Sequence, residues 1–414
     1  MTVNTARWSM WCARAQSGRP EDVRSLVVQL RGAVEQGPVY DRAAALDALA
    51  RDPVPLLIHL DRHARPGGLT TGVPEGPADL LRLLMCSLDS DGRLREAAVE
   101  GLAGRGGPLP TAALALRAVD WVPRVRDRAV AALLARCAPD EVAAAVRVLL
   151  RLDGRRRADG LLAAYRRTLA TPPHRRAVRA LAADTDPPTR RFGMELALDL
   201  GEYVRGDLLR TALHDRDQVC RKLCAQRLLE LDPGQAGRLL RARGAGVREM
   251  AVAALPGDVP AARLVPLLAD RARMVRAQAR WQLYQRGEPP ADVYRGQLRR
   301  ALRAQASPGL LAGLARGLGE CGDAADTELL TRLLGRPPAA VRRAAVHAVG
   351  RLAKPEELVG LLGPLANDPD PGVAREVFEA LTRVPEGVPA ETVWVGRVRS
   401  EPAVRRAAER IRRR

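Results

Sequence analysis

Aromatic residues make up only 3% of the 414 residues. That scarcity excludes a sandwich or barrel built on aromatic and β-branched strands, and it leaves no interleaved aromatic platform on which nucleic-acid bases would stack. Lysine is nearly missing, with only Lys222 and Lys354. The six cysteines form no CxxC motif and no paired framework, which excludes a disulfide scaffold and a paired-cysteine metal site. No charged leader followed by a long apolar run opens the chain. The longest purely apolar run, Ala129 to Ala135, is far below the roughly 18 residues needed to cross a bilayer. The expectation is a cytoplasmic protein with no membrane contact.

What is present is a repeat. In Asp120-Trp121-Val122-Pro123-Arg124-Val125-Arg126-Asp127-Arg128-Ala129-Val130-Ala131-Ala132-Leu133 a turn leads into a segment whose Val125, Ala129 and Leu133 share one helical face. The positions equivalent to Val125 are Leu94, Ala158, Thr189, Cys220, Val247, Val275, Leu310, Val341, Val373 and Val404, mostly about 31 residues apart. Four residues after each comes Ala98, Ala129, Leu162, Gly193, Cys224, Ala251, Ala279, Leu314, Ala345, Val377 or Ala408, never a charged side chain. Five residues before the anchor stands an Asp in seven copies, and directly after it an Arg in eight.

A unit of that length holds two helices of about 12 residues, each about 18 Å long. One such hairpin cannot bury its apolar face; a stack can. A stack also escapes the limit of roughly 250–300 residues on a single core. The expected fold is all-α: a right-handed α-solenoid of about eleven two-helix repeats over residues 80–414. Residues 1–64, with Trp8, Trp11, Val23, Leu26, Val27 and Leu30, read as a helical N-terminal cap, and residues 65–79, rich in Pro and Gly, as a loop.

On this pattern the chain resembles the HEAT-repeat family, in particular the short bacterial HEAT-like repeats. The resemblance implies that the repeated Asp and Arg form a structural ladder, each Arg bridging the turns of its own and the neighbouring repeat. The copies that have both are Asp89 and Arg95, Asp120 and Arg126, Asp184 and Arg190, Asp215 and Arg221, and Asp270 and Arg276. The family includes scaffolds, nucleic-acid binders and a few enzymes. Deoxyhypusine hydroxylase is similar in architecture but holds its iron through His-Glu pairs, and this chain has no His-Glu dipeptide. Bilin lyases share the fold and transfer no reactive residue. In a likeness to the alkylpurine DNA glycosylases, Trp121, Trp281, Asp127 and Asp270 are the side chains available for such roles, without a motif that fixes them.

His59 and His63 have the i, i+4 spacing of metal ligands but lack the adjoining Glu of a zinc protease. Cys220 and Cys224 share that spacing and sit on repeat anchors, so both read as core. No phosphate loop or nucleophile elbow occurs. No catalytic residue, metal or cofactor is expected.

The strongest functional signal is charge. The net value is +19, and residues 101–300 hold 37 basic against 21 acidic residues, so the excess is central. Arg155, Arg156, Arg157, Arg166, Arg167, Arg175, Arg176 and Arg179 crowd into one short stretch beside Asp153 and Asp159. Stacked repeats would set such clusters side by side as a stripe able to meet an anion. The sequence therefore predicts a non-enzymatic interaction scaffold with a protein partner, and with nucleic acid as a second candidate.

Overall fold

The computed structural model describes residues 3–63, 79–152 and 158–412. Among them every regular element is helical, with short 3-10 turns at several helix junctions and no strand. Residues 65–78 of the expected loop and the triplet Arg155, Arg156 and Arg157 lie outside the described residues. The chain divides into two compact units, residues 1–204 and 205–414. Each is a stack of helical hairpins, the arrangement of an α-solenoid.

The helix starts follow from the turn chemistry. Proline occupies the first turn of Pro123–Leu134, Pro187–Asp199, Pro308–Cys321 and Pro371–Leu381, where its missing N–H costs no hydrogen bond. In several copies a second Asp lies two residues after the first and caps the helix: Asp91 accepts from the Arg93 amide at 2.8 Å, and Asp217 from the Val219 amide at 2.7 Å. The anchors point inward. Val125, Ala129 and Leu133 are fully buried, and so are Cys220 and Cys224. Thr189 is also buried as an anchor, its hydroxyl satisfied by Asp186 at 2.6 Å. One anchor is corrected: Leu310 is 39% exposed while Leu311 is 6%. The inward stripe of that helix runs through Leu311, Leu314, Ala315 and Leu318, a shift of one residue after the longest spacing in the series.

The repeated Asp and Arg join neighbouring turns. In the first unit Arg95 donates from Nη1 to the Asp89 and Ser90 carbonyls at 3.0 and 2.8 Å, and from Nε and Nη2 to the Asp120 carboxylate at 2.9 and 3.1 Å. The guanidinium thus holds the backbone of its own turn and the side chain of the next. Asp120 also accepts from Arg117 at 3.1 Å and from the Val122 amide at 3.0 Å, whereas Arg126 turns to Asp127 at 3.1 Å. Arg190 donates to the Asp184 carbonyl at 3.4 Å, and the Asp184 carboxylate takes two bonds from Arg147, at 2.7 and 2.9 Å.

In the second unit Arg221 donates to the Asp215 carbonyl at 2.6 Å, and Arg276 to the Asp270 carbonyl at 2.7 Å. Arg248 and Arg342 repeat the Arg95 geometry, reaching forward to Asp270 at 2.8 Å twice and to Asp368 at 2.7 and 2.8 Å. Parallel forks of this kind fix both distance and orientation.

The ladder has a pH signature. Burial by itself raises the carboxyls of Asp120, Asp270 and Asp368, but the hydrogen bonds from Arg95, Arg248 and Arg342 and from turn amides outweigh it and hold all three below the ordinary 3.8. A depressed folded-state value gives stability that is complete above the unfolded value and is lost as pH falls through the folded one. The melting temperature should therefore be flat from about pH 7 to 5 and drop steeply below about pH 4. Thermal melts across that range check it; a flat profile down to about pH 3 would remove the carboxylates from the stability of the stack.

Candidate anion-binding groove

The charged cluster expected to carry function is largely neutralised where it is described. Arg166, on Ala158–Leu169, donates to Asp199 at 2.6 Å and lies over the Phe192 ring. Arg175 and Arg179, on Arg175–Ala182, share one carboxylate, Glu202, at 2.6 and 2.7 Å. The bonds from Arg179, with its charge and that of Arg175, hold the Glu202 carboxyl below its ordinary 4.5. Arg167 and Arg176 stand exposed. Acids distant in sequence (Asp199 and Glu202) came to these arginines only through stacking.

A different concentration of arginine appears in the second unit. It is built by the second helices of four successive repeats: Arg273–Tyr284, Pro308–Cys321, Ala339–Leu352 and Pro371–Leu381. Each buries one face through its anchors and turns its neighbouring face toward a shared groove of about 490 Å³. Six guanidinium groups line it, from Arg273, Arg276, Arg316, Arg343, Arg351 and Arg375. Two carboxylates, Glu320 and Glu376, and the imidazole of His347 complete the wall.

Both acids are already engaged. Arg276 donates to Glu320 from Nε at 3.3 Å and from Nη2, and Arg280 adds a bond at 2.6 Å. No ladder Asp is available to Arg276 from the next repeat: Gln305 and Ala306 stand five residues before Leu310 and Leu311. Glu376 pairs with His347 Nδ1 at 2.7 Å. Burial raises both carboxyls, and the bonds from Arg276 and Arg280 to one and from His347 to the other pull them below the ordinary 4.5. Arg351 donates to the Gly319 carbonyl at 2.9 Å.

Arg316 and Arg343 differ from the rest. Both are half-buried, and neither is joined by a hydrogen bond or ion pair to another described residue. Burial, followed by the like charges of Arg343 and Arg276, outweighs the attraction of Glu376 and Glu320 and pushes the Arg316 guanidinium below its ordinary value. Partly desolvated cations facing one another are a standing electrostatic cost that an anion would relieve. The sequence carried a weak sign of this. Arg343 and Arg375 each lie two residues after an anchor, but only the stacking brings them to Arg316.

Other expected features stay apart from chemistry. Asp270 is taken by Arg248, Trp121 is exposed beneath the Arg95 guanidinium, and Trp281 stacks on Tyr284 with ring centroids 5.9 Å apart. Among the described residues no three His, Cys, Asp or Glu side chains are placed to hold a metal, and no helix is long and apolar enough to cross a membrane.

The family model described as HEAT repeats matches residues 296–382 and 327–410. No curated protein matches the sequence. Among solved structures, that of Kap121p is 14% identical and covers 96% of this chain and 54% of that one at a TM-score of 0.39. Importin beta in an ammonium sulfate condition is 14% identical, with 97% and 58% covered at 0.35. Kap121p bound to the extreme C-terminus of the protein phosphatase Cdc14p is 13% identical, with 99% and 54% covered at 0.38. The chain spans about half the length of these structures.

Proposed function

We propose that this chain, whose residues 296–410 are HEAT repeats, is a non-enzymatic interaction scaffold that receives an anionic segment of a protein partner in the arginine groove of its second unit. The observation that supports this reading is the pair Arg316 and Arg343, half-buried and without a carboxylate of their own in a groove lined by six guanidinium groups. Guanidinium forks match carboxylate oxygens two at a time. The groove offers recognition without chemistry: its acids are bonded to Arg276, Arg280 and His347, so neither is poised as a general base.

The test is binding of a fluorescent oligoglutamate peptide across a salt series. Affinity should fall steeply as salt rises, because exposed and half-exposed charges are screened. Arg316→Gln with Arg343→Gln should weaken binding at least about tenfold, the scale of one or two charged hydrogen bonds. No binding at about 50 mM salt, or equal binding by the double variant, sinks the proposal.

A second reading, binding of nucleic acid by the central arginines, rests on Arg167 and Arg176, which stand exposed. Charge reversal at both positions and at Arg155, Arg156 and Arg157 would then flatten the dependence of log affinity for duplex DNA on log salt. An unchanged slope would remove it.

A further inference from the structure

We infer that the groove of the second unit selects a phosphate group over a carboxylate, and that its ligand is a phosphorylated side chain on the partner segment. The inference rests on the reading of the groove as an anion receptor and adds the chemistry of the anion.

The first argument is charge density. Six arginines face two glutamates, and those glutamates are already committed to Arg276, Arg280 and His347. A carboxylate brings a single charge. A phosphomonoester brings about −1.5 to −2 at neutral pH and three acceptor oxygens. One phosphate can therefore accept from Arg316 and Arg343 together and offset up to two charges; a carboxylate can also be shared by two guanidiniums, as Glu320 is by Arg276 and Arg280, but offsets only one.

The second argument is shape. The groove holds about 490 Å³, within the roughly 300–1,000 Å³ range of sites for small ligands, and its lining is drawn from four helices. That volume accommodates a modified side chain and its neighbours. A nucleic-acid backbone is a poor fit, since it is a continuous row of charges and would run against Glu320 and Glu376. Nucleotides are disfavoured as well. The lining consists of Arg, Glu and His, with no Phe, Tyr or Trp to stack a base.

The third argument is rigidity. Arg343 rises from a helix whose Val341, Ala344, Ala345, Val346, Ala348 and Val349 are buried, and Arg316 from one held by Leu314, Ala315 and Leu318. The guanidiniums sit on packed helices, not loops, so little order must be created on binding. Arg351 is tied to the Gly319 carbonyl at 2.9 Å, which cross-links two of the four helices at the wall of the groove.

The experiment uses the full chain and four probes. These are a neutral Gly/Ala peptide carrying one phosphoserine, the same peptide with Ser, the same with Glu, and inorganic phosphate as competitor. Fluorescence polarisation at constant ionic strength reads the affinities. The phosphoserine peptide should bind at least tenfold more tightly than the Glu peptide, the Ser peptide should not bind, and phosphate should compete only at far higher concentration. R316Q and R343Q should each abolish the preference. Arg332→Gln removes an exposed arginine paired with Glu328 at 3.2 Å, away from the groove, and should leave it intact. Circular dichroism on each variant separates lost binding from lost fold.

Equal affinity for the Glu and phosphoserine peptides would overturn phosphate selection while leaving the anion-receptor reading standing. Binding of neither would overturn both. Phosphate competing as strongly as the peptide would replace the partner side chain with the free ion, and an equal loss in Arg332→Gln would reduce the groove to diffuse electrostatics.

Discussion

Asp120→Ala is expected to destabilise the first unit by about 3–5 kcal/mol, the range for breaking a buried charge network by removing one partner. Asp120 receives two bonds from Arg95 at 2.9 and 3.1 Å and one from Arg117 at 3.1 Å, with these side chains at 0–1% exposure. Arg117 in turn donates to Asp61, on Pro53–His63. The four residues form a buried ionic cluster that ties the early helices to the repeats of the same unit. Removing the carboxylate takes from Arg95 its forward partner and from Arg117 one of its ion pairs, both out of reach of water. The truncated side chain also uncovers the Val122 amide, which Asp120 accepts at 3.0 Å.

Two units in one chain make a single global transition an unsafe readout. The measurement is therefore native-state hydrogen exchange followed by peptide. Peptides from residues 1–204 should lose protection and those from 205–414 should keep it. A loss below about 1 kcal/mol, the scale of a surface ion pair, would show that the cluster is not load-carrying in the folded state.

Gly313→Ala should cost the second unit about 3 kcal/mol, at the upper end for overpacking a tight contact. A Cβ there would stand 2.2 Å from the Ala269 carbonyl oxygen and 2.8 Å from its Cα. The obstruction is backbone at the end of Ala261–Leu268, so no rotamer change relieves it. The helix Pro308–Cys321 must retreat, and with it Leu311, Leu314 and Leu318. Gly360 is the control. It lies in the helix Pro355–Leu362 with nothing within 4 Å of its added Cβ, so Gly360→Ala should be neutral or stabilising by up to about 1 kcal/mol through helix propensity. Denaturant melts of the two variants give the comparison. Equal stabilities would mean that the close approach at Gly313 relaxes freely.

The Gly313 case also marks where the sequence stops being readable. The period, the inward anchors and the Asp and Arg of each turn could be read from the chain because they depend on residues within one repeat. Val125, Ala129 and Leu133 are buried for a reason visible at four-residue spacing. The one misplaced anchor, Leu310, sits after the longest gap, where that spacing cannot say which of two adjacent leucines turns inward.

The partners of the arginines were a different matter. Arg166, Arg175 and Arg179 looked like part of a cluster opposed only by Asp153 and Asp159, because Asp199 ends a later helix and Glu202 lies in the connection after it. Arg316 looked ordinary because nothing in its own helix marks it, and Arg343 carries only the weak mark of its place two residues after an anchor. A guanidinium reaches several ångströms and meets whatever the adjacent repeat presents, so its pairing is a property of the stack.

By itself the sequence determined the helical repeat and which faces are apolar, since those follow from local periodicity. Only the tertiary structure decided which charges cancel and which are left facing a groove. Coulombic pairing depends on distance in space, and in a stack of hairpins a partner in the adjacent repeat is about thirty residues away along the chain.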